Sequence, residues 1–413
     1  MAAPSSFVSE QRLWDSLQAM ARFGATAAGG VNRQALSQED SAAQTELVRW
    51  GQSIGMLASR DAAGNLFLRL PGSDASAAPV LSGSHLDSQP TGGKFDGVYG
   101  VLAAFEAARA IRATGVAPRR SIDVVAWMNE EGSRFAPGMM GSAVFAGDRP
   151  LDTILAAQDA QGVRVGEALA LQQERLAHVP LRALGGAVHA FVEAHIEQGP
   201  VLEREGFPVG IVSGIQGKHT FRVEVIGEAA HAGTSQRSER KDALLAATGM
   251  VQALAAAFHD FDDITKFTIG RFEVLPNAPS VVAAKVVFSI DLRHPDTARL
   301  RAMSAQVEHL CAAARGPCEV QVQRLSAADS LEFPEALRQR ARAVADRLAT
   351  PWRDLPSAAG HDARYLHAVT PTAMLFVPCH LGITHNEAES ATPSDLAAGT
   401  RVLADLLLEL AND

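Results

Sequence analysis

Val80-Leu81-Ser82-Gly83-Ser84-His85-Leu86-Asp87 and Ser121-Ile122-Asp123-Val124-Val125-Ala126-Trp127-Met128-Asn129-Glu130-Glu131 decide the architecture. Each is a short apolar run that ends abruptly in ionisable residues. Residues 80–84 close on a Gly/Ser turn and read as a short buried strand, and residues 121–128 read as another. Between them, residues 97–114 have helical apolar spacing. Strand, helix and strand at this separation form a βαβ unit, because parallel neighbours need a crossover. The expectation is an α/β fold: a mostly parallel sheet with helices on both faces. Ligands of such sheets bind beyond the carboxyl ends of the strands. Here those ends are His85-Leu86-Asp87 and Asn129-Glu130-Glu131.

Working outward, residues 12–22 and 41–54 have helical patterns separated by a Gly/Ala-rich loop. The character changes between about 214 and 330. There, strands are expected at 221–226, 267–272, 281–292 and 318–323, with helices at 240–259 and 296–314. The order β-α-β-β-α-β suits a small α+β sheet covered by two helices. It is expected to be an inserted lid or dimerisation domain, residues 214–330, interrupting a catalytic domain made of 1–213 and 331–413. Residues 334–410 return to α/β character, with a strand at 373–377 and a closing helix at 394–410.

Composition narrows the function classes. The chain has 413 residues, 47% hydrophobic and 20% charged, with 37 Lys plus Arg against 46 Asp plus Glu. That is a globular balance, and disorder is excluded for most of the chain. The net charge of −9 and the lack of long basic runs argue against nucleic acid. The most apolar stretch, 243–258, is interrupted by Thr248, Gly249 and Gln252 and falls short of the roughly 18 residues of a membrane span. Cys311, Cys318 and Cys379 are odd in number and include no C-x-x-C pair, which points to a reduced, cytoplasmic compartment. Residues 1–11 show no secretory signal pattern.

Metal-ligand residue types cluster in five segments: 84–97, 129–132, 195–199, 361–362 and 385–387. Any one His in them is as well explained by an ordinary hydrogen bond. Glu130 beside Glu131 at a strand end is different, because adjacent carboxylates in a buried setting need a cation or solvent. Imidazole and carboxylate together suit Zn, Mn or Co, with no thiolate required. A central carboxylate can bridge two ions about 3.5–4 Å apart, which lower the pKa of a shared water and polarise a carbonyl. A second carboxylate must then take the water's proton. Glu130 and Glu131 are placed to divide those tasks, and Asp87 is placed to orient His85. There is no phosphate loop, dinucleotide fingerprint or H-E-x-x-H.

Read together and in order, the motifs resemble the dinuclear metal amidohydrolases of the aminoacylase/carboxypeptidase-type clan. Within them, the chain is most similar to the N-carbamoyl-L-amino-acid amidohydrolases, β-ureidopropionases and allantoate amidohydrolases. The resemblance rests on His85-Leu86-Asp87 with Phe95-Asp96-Gly97, on Asn129 to Phe135, and on Glu193-Ala194-His195-Ile196-Glu197-Gln198-Gly199-Pro200. It continues through His231-Ala232-Gly233-Thr234, Pro276 to Ser280, Asp291-Leu292-Arg293-His294, Ser357 to Ala363 and His385-Asn386-Glu387. It runs from about residue 40 to the end of the chain.

The resemblance implies two divalent ions per subunit, Zn or else Mn, Co or Ni. His85 and His195 would hold one ion, Glu131 and His385 the other, and Asp96 would bridge them. Glu130 would act as general base and then acid, and Gln198 would contact substrate. His231 would stabilise the oxyanion from the neighbouring subunit of a homodimer. Asn277, Arg293 and the backbone at Gly360 would bind the substrate carboxylate. The implied reaction is hydrolysis of the C–N bond of an N-carbamoyl amino acid or related ureido acid, releasing the amino acid, CO₂ and ammonia. An aminoacylase or dipeptidase is the alternative, and an inactive scaffold a minor one. Two departures from the family pattern, Thr234-Ser235-Gln236-Arg237 and Ala358, bear on the substrate side chain rather than on the ions. His219, His259 and His309 match no motif and are expected at the surface.

Overall fold

The computed structural model describes residues 2–413. Two compact units result. One ends at Ser213 and resumes as Phe333–Asp413; the other is Gly214–Glu332.

The first unit is a mixed α/β structure built on one sheet. Across it lie Leu57–Arg60, Leu66–Leu70, Ile122–Trp127, Val80–His85, Ala190–Ile196, Thr372–Val377 and Val209–Ile215. The four strands from Ile122–Trp127 to Thr372–Val377 run parallel. The pairs at both edges are antiparallel. Every residue of the four parallel strands is buried. Continuous apolar runs are what a sheet covered on both faces requires. Successive side chains point to opposite faces. Val192, Ala194 and Ile196 join a large core with Leu102, Phe105, Leu403 and Leu406. Trp127 instead packs edge-on against Phe67, Phe145 and Phe191.

The expected crossover helix is Val98–Ala113, and the closing helix is Pro393–Ala411. The latter starts sharply because the Thr392 side chain accepts from the Asp395 amide and Pro393 occupies the first turn. Ala190–Ile196 is a strand that apolar patterning did not single out, since Glu193 and His195 interrupt its run.

The second unit is an antiparallel sheet ordered Phe272–Leu275, Lys285–His294, Gly217–Ile226, Glu319–Ala328. Lys266–Thr268 also pairs with Lys285–His294. Burial alternates strictly along Gly217–Ile226, so one face is sealed and the other wet. Helices Ala243–Phe258 and Thr297–Ala313 contribute Met250, Leu254, Leu300, Met303 and Val307 to a core with Val223, Val225, Phe288 and Ile290. Asp242 and Asp296 cap these helices.

Three expectations are corrected here. The strand expected over 267–272 is two pieces, Lys266–Thr268 and Phe272–Leu275. The strand expected over 281–292 is also divided: Val281–Val282 pairs with Ala230–His231, while Lys285–His294 belongs to the larger sheet. A change of pairing partner is invisible to apolar periodicity. His219 is buried rather than exposed, with Nδ1 2.8 Å from the Ser304 hydroxyl. No helix among the described residues is long and apolar enough to cross a membrane.

Candidate metal centre

The parallel strands bring their carboxyl ends together, and the ionisable residues lie there. His85 closes Val80–His85, and His195 is next to last in Ala190–Ile196. Asn129, Glu130 and Glu131 follow Ile122–Trp127 after Met128. Asp96 precedes helix Val98–Ala113, and His385 lies beyond Thr372–Val377. Neighbouring strands thus supply residues that are far apart in sequence.

Asp96 lies at the centre. Its Oδ1 is 3.2 Å from His195 Nε2 and 3.8 Å from His85 Nε2. Its Oδ2 is 3.3 Å from His385 Nε2, which lies 3.3 Å from Glu131 Oε2. Two ligand groups follow, His85-Asp96-His195 and Asp96-Glu131-His385, each with donor atoms within 4.8 Å of one another. The structure therefore gathers all five residues expected at the metals. Their nitrogen and oxygen donors fit a divalent ion of the Zn, Mn, Co or Ni kind.

The imidazoles are held from behind. His85 Nδ1 is 2.9 Å from the Asp87 carbonyl oxygen, and His195 Nδ1 is 2.9 Å from that of Ile196. A carbonyl acceptor keeps a proton on Nδ1 and turns Nε2 to the centre, where it donates to Asp96 when protonated and would hold a cation when neutral. The expected orienting role of the Asp87 side chain is thus taken by its main chain. The Asp87 carboxylate stands 3.7 Å from His85 Nδ1 and accepts the amides of Glu130 and Glu131, both at 3.2 Å. Two residues of separation bring the carbonyl to the ring first and leave the carboxylate to fasten the neighbouring loop.

The site is electrostatically crowded. Burial pushes Glu130 well above its ordinary range, and the charges of Asp362 and Glu131 add to the effect. Burial, with Asp96, raises Glu131 to about 8. Burial also acts to raise Asp96, but hydrogen bonds from His195 and His385 hold it well below its usual value. His85 is depressed to about 4, chiefly by burial. Such a set favours a bound cation, whose charge would relieve the repulsion. Glu130 belongs to neither ligand group, and its Oε2 is 3.5 Å from His85 Nε2.

The remaining expected residues are placed as follows. Gln198, in a left-handed conformation, donates from Nε2 to Asp96 Oδ2 at 2.9 Å. Gly360 is exposed beside the buried His361 and Asp362. His231, Asn277 and Arg293 lie in the second unit and in neither ligand group. His231 Nδ1 accepts the amides of Gly233 at 3.0 Å and Thr234 at 3.2 Å. Its neutral ring therefore carries the proton on Nε2, as a donor. Asn277 is exposed with a left-handed backbone. Arg293 is engaged by Asp291 through two bonds of 2.7 and 3.1 Å.

Several participants escaped sequence reasoning. Gln89 Nε2 donates to Glu131 Oε2 at 2.7 Å. Glu193 accepts from the Ser84 hydroxyl at 2.8 Å and the Ala363 amide at 2.9 Å. Glu389 accepts the Phe95 and Asp96 amides at 2.8 and 3.1 Å. All three lie inside or just beyond the quoted motifs, which was the available signal. A third possible ligand group, Glu193-His195-His361, is already engaged internally, His361 Nε2 lying 2.9 Å from the Ser357 hydroxyl.

Comparison with known proteins agrees with this geometry. Residues 81–409 match the family described as Peptidase family M20/M25/M40. The chain belongs to this family. Enzymes of the family are metal-dependent, in keeping with the ligand groups. The chain is 38% identical to an N-carbamoyl-L-amino-acid amidohydrolase of Rhizobium meliloti, over 100% of this chain and 99% of that one. It is 34% identical to an allantoate amidohydrolase of Escherichia coli K12, over 97% and 98%. A solved amidase of the hydantoinase/carbamoylase family from Burkholderia multivorans superposes with a TM-score of 0.90 at 42% identity, covering 98% of each chain.

Mn or Zn should raise the thermal unfolding midpoint of the chelator-treated protein. Binding at a hundredfold excess over Kd adds about 2.7 kcal/mol. Asp96→Ala, which removes the shared ligand, should abolish the rise. A native midpoint that neither ion moves would count against a metal centre here.

Proposed function

We propose that the chain hydrolyses the C–N bond of an N-carbamoyl amino acid or a close ureido acid, using two divalent ions per subunit. The observation that carries this reading is the single carboxylate, Asp96, shared between two imidazole-containing ligand groups, with Glu130 beside them but outside both. The full-length likeness to N-carbamoyl-L-amino-acid and allantoate amidohydrolases supports the substrate class.

In this reading His85, His195, Asp96, Glu131 and His385 would hold the ions. The ions would supply Lewis acidity, lowering the pKa of a water and polarising the ureido carbonyl. Glu130 takes the proton from the attacking water on its carboxylate and delivers it to the leaving nitrogen. Its raised affinity for a proton suits the second step, when it must act as an acid. His231 donates from Nε2 to the oxygen that becomes negative. Its Nδ1 contacts with Gly233 and Thr234 support that tautomer. Arg293 binds the substrate carboxylate with its planar fork, and Asp291 holds that fork in one orientation. Asn277 and the Gly360 backbone assist at the same carboxylate, and Gln198 steadies the bridging Asp96 beside the substrate. The carbamate product decays to CO₂ and ammonia.

We further propose that the protein works as a homodimer in which His231 serves the neighbouring subunit, the second unit acting as lid and interface. The three cysteines are unpaired, which suits a reducing, cytoplasmic setting.

The test is a panel of N-carbamoyl-L- and D-amino acids, N-carbamoyl-β-alanine and allantoate with Mn- or Zn-loaded protein. Ammonia release should outpace hydrolysis of acyl-amino acids and dipeptides. The reverse order would reassign the chain as an aminoacylase or dipeptidase. Glu130→Gln should lower kcat by at least about a hundredfold and leave metal content near native. Normal turnover in that variant would remove Glu130 as the proton carrier. Arg293→Ala should raise KM strongly while depressing kcat less. An unchanged KM would take Arg293 out of the carboxylate pocket.

A further inference from the structure

Glu389 is a buried carboxylate that the reaction above does not use. It belongs to neither ligand group. One oxygen, Oε1, accepts two consecutive main-chain amides, Phe95 at 2.8 Å and Asp96 at 3.1 Å. The other, Oε2, lies 3.0 Å from the Thr384 hydroxyl, which is also 2.9 Å from Asp96 Oδ2. Glu389 thus holds Asp96 directly at its amide, and the Thr384 hydroxyl, with one proton to give, lies between the two carboxylates. It sits four residues beyond His385 on the same loop. The amides it holds are 294 and 293 residues away in sequence. The fit is close, because a Cβ on Gly93 would overlap the Glu389 carboxyl group. The 92–97 segment is therefore wrapped around this side chain.

We propose that Glu389 is a positioning residue that fixes the spacing between Asp96 and His385, and so sets the affinity of the Asp96-Glu131-His385 group for its cation. The inference rests on the proposed function only in taking those residues as cation ligands. A carboxylate is suited to the task. It accepts several amides at once, and charged acceptors bind amides more strongly than neutral ones. Partners that hold metal ligands from behind typically govern affinity 10–100-fold.

The test is calorimetric titration of the chelator-treated full chain with Mn and with Zn. Glu389→Ala and Glu389→Asp should weaken one binding step by at least about tenfold. Glu389→Gln, which keeps the acceptor geometry but loses the charge, should fall between these variants and native. Its amide oxygen can still accept both main-chain amides, and its nitrogen can donate to Thr384 while Thr384 donates to Asp96. With substrate, the Ala and Asp variants should show reduced kcat that added Mn restores, at little-changed KM. A merely structural role would lower the thermal midpoint of the metal-free protein and leave the titrations unaltered; that result overturns the inference. If Glu389→Ala does not fold, Gly93→Ala tests the same grip from the other side by displacing the carboxylate from the amides. Native-like titrations in that variant would also overturn it. If the variants weaken cation binding but the native chain turns over no ureido substrate, the proposed function falls and the role of Glu389 stands. If the native chain is active and every variant binds cations as tightly, Glu389 falls alone.

Discussion

The sharing of one buried carboxylate among three imidazoles is the constraint on which the rest of the site depends. Asp96 faces His85, His195 and His385 within 3.8 Å. Glu130, Glu131, Asp87 and Asp362 add to one another's charge around it. At an effective dielectric of about 20, two like charges 4 Å apart repel by about 4 kcal/mol. A whole domain is stable by only about 5–15 kcal/mol. The chain therefore cannot hold these groups together by packing alone. Each carboxylate needs amides, hydroxyls, imidazoles or a cation, and the surrounding loops are shaped to supply the first three.

That requirement explains why the loops at the strand ends are tied to each other rather than to solvent. Asp87 holds the amides of Glu130 and Glu131, and Gln89 holds the Glu131 carboxylate. Glu389 holds the amides of Phe95 and Asp96. Each tie links the end of one strand to the loop after another. The parallel sheet makes this possible. Adjacent strands in space are distant in sequence, so every tie also fixes the tertiary structure. Fold and site are one set of interactions in this region.

The same logic shows which parts were legible in the sequence. The βαβ unit at 80–128 was readable because one strand begins apolar, the other is mostly apolar, and the helix between them is periodic. Ala190–Ile196 was not, although it lies at the middle of the sheet. Its Glu193 and His195 look like loop residues. They are tolerated in a buried strand because Ser84, the Ala363 amide and the Ile196 carbonyl satisfy them. Pattern alone cannot see partners supplied from 109 and 170 residues away. The ligand residue types were legible for the opposite reason: few other arrangements place carboxylates and imidazoles at successive strand ends. The holding groups were not, since a Gln or Glu that orients a neighbour has no distinctive spacing. Asp87 shows the limit most directly, because its carbonyl and its carboxylate serve different partners.

Net charge is a poor guide to what this protein binds. The chain carries −9 overall, yet its proposed substrate is an anion. Long-range attraction is screened beyond about 8–10 Å at physiological salt, so the local arrangement decides. On the second unit, Arg293 and Lys218 both face Asp291, the latter at 3.2 Å. Lys218 belongs to the neighbouring strand, so cationic side chains reach Asp291 from two strands. Asp291 holds the Arg293 guanidinium in one orientation through two hydrogen bonds. At the metal centre the balance is inverted, with carboxylates in excess until cations bind. The proposed N-carbamoyl amino acid carries a carboxylate at one end and a neutral, polarisable ureido carbonyl at the other. The local charges of each unit, rather than the total, bear on the proposed substrate class.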